Sequence, residues 1–270
     1  MAVINTNVSS SIAANALVKN ERSLNKAMAQ LSTGSRINNA GDDAAGLAIS
    51  ITMTSQINGL QQAVRNSNDG ISIAQTADGA LSEATNMVQR MRELAVQATN
   101  GALSNTERKY LDTEFQAIEA AILKIGTSTE FNGRAILGTS ATGYAITDAG
   151  GATVATVTTT AMSALVTALN GDTVSTAANA ATALAGADTA LAAIASSRAG
   201  LGASMNTLAF MADNQSNELA NTQSARSRVL DTDYAASTTE LARTQIIQQA
   251  GTAMLAQANQ LPQSVLALLR

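Results

Sequence analysis

Residues 187–230 read ADTALAAIASSRAGLGASMNTLAFMADNQSNELANTQSARSRVL. Ala187, Leu191, Ile194, Arg198, Leu201, Met205, Leu208, Ala212, Gln215, Leu219, Thr222, Arg226 and Val229 recur at alternating steps of four and three. Heptad after heptad without a break, that rhythm predicts a helix lying along another helix as in a coiled coil. Arg198, Gln215 and Arg226 dilute the apolar line with polar groups.

Upstream lies a second long helical pattern. Ile57, Leu60, Val64, Ile71, Ala74, Leu81, Val88 and Ala95 keep one three-four register, and Ile73, Ala77, Ala80, Ala84, Met87, Met91 and Leu94 keep another. Two apolar stripes require two neighbours, so this helix belongs inside a bundle. Asn100-Gly101 reads as its C-cap pair. Ser104-Asn105-Thr106-Glu107 has the spacing of a capping box opening another helix, with Leu111, Phe115, Ile118, Ile122 and Ile125 on its inner face and Gly126 at its close. The short link predicts an antiparallel helical hairpin.

Further out, an N-terminal helix carries Leu17, Leu24, Met28 and Leu31 on one face and stops at STGSRINNAGDD, where Gly34 and Gly41 flank Asn38-Asn39. Asp42 and Asp43 then stand where acidic groups complement the start of the next helix. Between Phe131 and about Thr176 Gly and Thr dominate, with alternation around Tyr144-Ala145-Ile146 and from Val154 to Val157, and a tight turn is predicted at Asn132-Gly133. Leu230-Asp231-Thr232-Asp233-Tyr234 interrupts the long C-terminal pattern. A last helix follows, with Ile247, Gly251, Met254, Ala258, Leu261, Val265 and Leu268 on one side.

The expected fold is therefore mainly α: a long antiparallel helical bundle or coiled coil of N- and C-terminal segments around a small central β or irregular insert. The divisions expected are 1–43, 44–138, 139–176, 177–230 and 231–270. Composition agrees. The chain has 270 residues with no Cys, His or Trp, three Tyr, three Phe and one proline, Pro262. So few aromatics do not furnish a thick globular core.

Several function classes fall away. Without His or Cys, neither a Ser-His nor a Cys-His nucleophile is available, and a zinc site would need carboxylates alone. Asp42 and Asp43 are adjacent and point about 100° apart on a helix, which suits helix-start acids better than paired catalysis. Asp231-Thr232-Asp233 lacks the glycine and closing glutamate of a calcium loop. No enzymatic activity and no cofactor are expected. The net charge of −4 with 16 scattered basic residues argues against nucleic acid, and no run approaches the ~18 apolar residues of a membrane span. The opening residues lack the basic and apolar regions of a Sec-type signal, which by itself reads as cytoplasmic. QRMRELAVQ (residues 89–97) reads as a solvated helix face, with Arg90 and Arg92 flanking Met91 and Glu93 near for pairing.

Four stretches carry a family resemblance: LSTGSRINNAGDDAAGLAIS (31–50), NDGISIAQTADGAL (68–81), QRMRELAVQATNG (89–101) and ANQLPQSVLALLR (258–270). Together they closely resemble bacterial flagellin over roughly residues 1–138 and 177–270, in the family's order and outside the insert. The resemblance implies a filament subunit whose chain ends form an inner helical tube, whose long helices form an outer one, and whose insert faces solvent. It implies export through the flagellar type III apparatus to an extracellular flagellum. The implied partners are other copies joined head-to-tail, an export chaperone, and the filament cap and hook-junction proteins. It also implies recognition of the monomer by a Toll-like receptor of animal cells through positions matching Gln89, Arg90, Glu93, Leu94 and Glu114.

The assembly seam expected on this basis runs through Leu17, Leu24, Leu31, Ile247, Met254, Leu261, Val265 and Leu268. Covering the C-terminal members contributes on the order of 10 kcal/mol at roughly 2 kcal/mol per side chain. Both ends are expected to be largely disordered in the monomer and to fold on assembly. A hook-filament junction protein is the alternative within the family, and the full DDAAGLAIS and QRMRELAVQ stretches favour flagellin. A polysaccharide-binding surface module is the alternative outside it, and the insert offers only Tyr144 as an aromatic platform for sugar.

Overall fold

A computed structural model of the chain describes residues 6–138, 142–159, 161–162, 167 and 173–268, with Val154 and residues 261–268 described by backbone alone. In chain order the elements are α1 (Val8–Thr33), α2 (Ala44–Thr99), α3 (Asn105–Ser128), β1 (Glu130–Phe131), β2 (Arg134–Ala135), β3 (Thr142–Thr147), β4 (Thr153–Thr159), α4 (Ala177–Leu230) and α5 (Tyr234–Leu268). Two compact units emerge, Gln56–Ala220 and Met1–Ser55 with Asn221–Arg270, so the divisions fall inside α2 and α4.

In the unit formed by residues 56–220, both stripes of α2 are used. Ala74, Leu81, Val88 and Ala95 are buried, as are Ile73, Ala77, Ala84, Met91 and Leu94. They pack with Phe115 and Ile122 of α3 and with Ala180, Ala183, Ala187, Ala190, Ile194, Leu201 and Leu208 of α4. The polar contacts fix the directions: Arg90 of α2 meets Glu114 of α3, and Arg108 of α3 reaches Ala98 of α2, which sets these helices antiparallel. Arg198 meets Asp78 and Asp188 meets Arg92, which sets α4 antiparallel to α2. The polar positions of α4's seam face polar groups: Arg198 Nε donates to Asp78 Oδ1 at 2.7 Å, and Gln215 Oε1 stands 3.5 Å from the buried Ser67 Oγ. Matched polar pairs in an apolar seam select one register over its neighbours.

The helix ends partly correct the sequence reading. Ser104 and Glu107 form the expected capping box, with the Ser104 N–H donating to Glu107 Oε2 at 2.7 Å. Asn100-Gly101 does not cap α2 through a left-handed glycine; among the described residues positive φ is confined to Gly34, Asn132, Gly133 and Gly151. Instead Arg108, buried, donates to the carbonyls of Ala98 at 2.8 Å and Asn100 at 3.0 Å and satisfies the end of α2. Gly126 does not close α3, which continues to Ser128. It is glycine because a Cβ there would stand 2.5 Å from Met162 Cβ and 3.2 Å from the Leu137 carbonyl oxygen.

β1 and β2 pair antiparallel around Asn132-Gly133, both in the left-handed region (φ 50° and 74°), as the tight turn requires. β3 and β4 form a second antiparallel hairpin with Ile146 and Val157 turned inward. This hairpin lies against α2: Asn66 Nδ2 donates to the Thr147 carbonyl at 3.3 Å, and a Cβ on Gly70 would stand 2.9 Å from Ile146.

In the other unit, α1 and α5 run antiparallel as a pair. α1 starts at Asn7, whose side chain accepts from Ser10 N–H, and ends at Gly34 in the left-handed conformation (φ 70°). The two acids that follow separate in role. Asp43 caps α2 by accepting from Gly46 N–H at 2.8 Å. Asp42 instead turns back, accepting from the Asn38 and Asn39 N–H groups and pairing with Lys26 at 2.9 Å. The breaks at 34–36 and 229–232 are joined backbone to backbone: Arg36 N–H donates to Leu230 O and Thr232 N–H to Gly34 O. Asp233 then caps α5 through the N–H groups of Ala235 and Ala236.

Candidate functional site

α5 offers α1 a line of Ser237, Leu241, Thr244, Gln248, Gly251, Leu255 and Ala258, all buried or half-buried at steps of four and three. α1 answers with Ala13, Leu17, Asn20, Leu24, Ala27 and Leu31 in the same rhythm. Polar bonds run through the pair: Asn20 Nδ2 donates to the Thr244 carbonyl at 2.8 Å, Asn7 Nδ2 to the Ala258 carbonyl at 2.8 Å, and Ser10 Oγ to Asn259 Oδ1 at 2.8 Å. Leu17, Leu24 and Leu31 of the expected assembly seam thus lie half-buried on a line that already has a neighbour in the same chain. Met28 does not share that line; it is 49 % exposed, and Ala27 occupies the inward position.

Ile247 and Met254 part company with Gly251 and Ala258. They are 41 % and 66 % exposed, on an open side with Ile246, Ala250 and Ala253 that nothing among the described residues covers. Gln257, exposed one turn beyond Met254, ends this apolar stretch with an amide. α5 carries more apolar surface than one narrow partner helix conceals, and the Asn20–Thr244 bond turns its polar-flanked face inward. The side chains of Leu261, Val265 and Leu268 lie outside the described residues.

A second surface comes from QRMRELAVQ. Gln89, Arg90 and Glu93 are exposed, while Met91 between them is buried. Arg90 Nε and Nη2 donate to Glu114 Oε1 at 2.9 and 2.8 Å, and Nη1 donates to Glu93 Oε2 at 3.1 Å. The carboxylates of Glu114 and then Glu93 raise the guanidinium pKa above its ordinary value. Leu94 belongs to the core, not to this face: it is fully buried against the bundle and supports the surface from beneath. Arg92 leaves the Arg90 cluster and donates to Asp188 at 2.6 Å. The arrangement presents charge and hydrogen-bonding groups with no nucleophile–base pair.

Among the described residues no group of three His, Cys, Asp or Glu could hold a metal ion, and no helix is long and apolar enough to cross a membrane.

The fold defines a class: paired terminal helices, a long-helix bundle interrupted by a short hairpin insert, and an apolar helix face that nothing among the described residues covers. The bacterial flagellin N-terminal helical region matches residues 4–142 and the bacterial flagellin C-terminal helical region matches residues 184–269. The chain belongs to the bacterial flagellin family. It is 44 % identical over 248 residues to a flagellin of Halalkalibacterium halodurans, covering 91 % of each chain. It is 39 % identical to the flagellar filament 33 kDa core protein of Treponema phagedenis, covering 99 % of this chain and 100 % of that one. The crystal structure of Bacillus cereus flagellin is similar with a TM-score of 0.50 at 32 % identity, over 56 % of this chain and 88 % of that one.

Proposed function

We propose that the chain is a structural subunit that polymerises into the extracellular bacterial flagellar filament. The observation that carries this reading is the uncovered side of α5 through Ile246, Ile247 and Met254. Exposed apolar surface on a helix is removed from water when another copy lies against it. The contact is head-to-tail, because only a heterologous interface extends into an open helix. Membership of the flagellin family supports the reading.

In this proposal residues 1–43 and 231–270 form the inner layer of the filament, 44–138 and 177–230 the outer layer, and the side of the 139–176 insert turned away from α2 faces solvent. Of the expected seam, Leu17, Leu24 and Leu31 pack on the last helix of the same chain, and the part that neighbouring copies complete runs through Ile247, Met254, Leu261, Val265 and Leu268. The paired ends gain most of their order on assembly, since the α1–α5 pair is narrow and rich in polar groups. Export through the flagellar type III apparatus, a chaperone on the C-terminal segment, and the cap and hook-junction proteins belong to the same proposal.

The test is seeded elongation. Purified subunit added to filament fragments should extend them, whereas Ile247→Asp with Met254→Asp should keep its helical circular dichroism and fail to extend them. Undiminished elongation by that variant would remove the basis of the reading.

The Gln89, Arg90, Glu93 and Glu114 surface favours a second role for the free subunit, as a ligand of a Toll-like receptor of animal cells, with Leu94 as its buried support. An Arg90→Ala subunit that triggers a receptor reporter as strongly as the parent would refute it.

A further inference from the structure

The chain has nine methionines. Met91 and Met162 are buried, and Met254 is the most open methionine among the described residues at 66 %, followed by Met28 at 49 %. A thioether needs no proton removed before it reacts, so access decides which methionine is oxidised first. The two exposed sulfurs differ in where they stand. Met28 lies on α1, whereas Met254 lies on the open side of α5, with Ala250 and Ala253 beside it and Ile246 and Ile247 on the turns before. None of those four side chains offers a hydrogen-bond donor. Among the described residues within one turn of Met254 on that side, Gln257, three residues on, is the one that does.

We propose that Met254 is an oxidation site of the unassembled subunit, and that its sulfoxide prevents this chain from being covered by a second copy. The inference rests on the reading of α5's open side as a contact between copies. In the step, the Met254 sulfur lone pair attacks one oxygen of hydrogen peroxide and the O–O bond breaks as the S–O bond forms. A proton passes to the departing oxygen, which leaves as water. Sulfur is oxidised by two electrons and the peroxide is reduced by two. The product turns one of the most exposed apolar side chains of α5 into a strong hydrogen-bond acceptor. Burial against another copy strips that acceptor of its water. The Ile and Ala neighbours return nothing, and the single amide of Gln257 replaces only part of the lost hydration. Once covered, Met254 is no longer accessible, so the modification discriminates free subunits from assembled ones.

The experiment uses the full chain. Free subunit and finished filament are exposed separately to hydrogen peroxide and quenched. Oxygen incorporation at each methionine is mapped by mass spectrometry, and treated subunit is assayed for seeded elongation. In free subunit Met254 should gain one oxygen well before Met91 and Met162, with elongation falling at least about tenfold. Each compared with its own untreated rate, Met254→Leu and Met254→Ile should lose nothing to peroxide, whereas Met28→Leu should lose as much as the parent does. Methionine sulfoxide reductases should restore the treated parent. If subunit fully converted at Met254 elongates normally, or the Met254 variants lose as much activity to peroxide as the parent, the proposal is overturned. If Met254 in filament oxidises as fast as in free subunit, the reading of the open side as an inter-copy contact fails, and the proposal fails with it. Protection in filament together with normal elongation by oxidised subunit sinks the proposal alone.

Discussion

Leu17 seats the end of its side chain over the backbone of Gly251: a Cβ on that glycine would stand 2.9 Å from Leu17 Cδ1. The contact brings α1 and α5 together one turn from the bond between Asn20 and the Thr244 carbonyl. Gly251→Ala should stay within about 1 kcal/mol of the parent, because the gain in helix propensity offsets a small displacement of a flexible leucine. Gly251→Val adds two branches that Leu17 cannot evade together, and should weaken the pair by about 1–3 kcal/mol. Circular dichroism melts of both variants, read alongside seeded elongation, check the contrast; a valine as benign as alanine would contradict the packing.

Arg108 closes the end of α2 from outside that helix. Arg108→Leu keeps much of the buried volume but leaves the Ala98 and Asn100 carbonyls without their donor, so it should cost about 1–3 kcal/mol. Faster amide exchange at residues 96–103, ahead of the rest of the 56–220 unit, would be the signature. Unchanged exchange there would mean water replaces the guanidinium without loss.

Asp78 and Arg198 form a partly exposed ion pair inside a coiled-coil line. A double-mutant cycle with Asp78→Ala and Arg198→Ala should return a coupling of about 0.5–1 kcal/mol, the range for pairs in contact with solvent. Its larger effect should be on register: disulfide trapping between cysteines introduced across α2 and α4 should give one product in the parent and slipped products when the pair is removed.

Acid should loosen the turn between α1 and α2. Lys26 and the Asn38 and Asn39 N–H groups hold the Asp42 carboxyl below its ordinary value of 3.8. A depressed folded-state pKa means the stabilisation is fully present above that ordinary value and is lost as pH falls through the lower, folded one. The Glu107 carboxyl, lowered from 4.5 chiefly by hydrogen bonds from Ser104, follows the same sign. Stability should therefore decline on acidification below about pH 4, and Asp42→Asn should flatten part of that decline. An Asp42→Asn melt with the parent's full pH dependence would exclude this origin.

What was legible in the sequence was what neighbouring residues decide among themselves. The two stripes of α2, the capping box at Ser104 and Glu107 and the Asn132-Gly133 turn all follow from short spacings and appear as expected. Contacts set by distant residues were not legible. Arg198 and Gln215 read as blemishes on a seam because Asp78 and Ser67 lie far upstream. No local motif marks Arg108 as the group that closes α2, and its spacing from Ala98 and Asn100 across a short link is the one signal that points to it. Leu94 shares a motif with Arg90 and Glu93, yet the turn of the helix carries it into the core. Ile247, Gly251, Met254 and Ala258 obey one helical spacing on paper, and Asn20 on another helix separates the inward members from the outward ones. Asp42 and Asp43 are chemically identical neighbours, and only the fold of 36–43 gives one to the helix and the other to the loop.

The backbone link between residues 34–36 and 229–232 carries one more consequence. Sliding the end of α1 past the junction between α4 and α5 by a single residue would break the Arg36–Leu230 and Thr232–Gly34 bonds together, because Leu230 ends α4 and Thr232 leads into α5. The link therefore acts as a locating pin. A tug along either helix is passed to its companion as load rather than taken up as slip, which suits a part of a shaft that must be twisted without creeping.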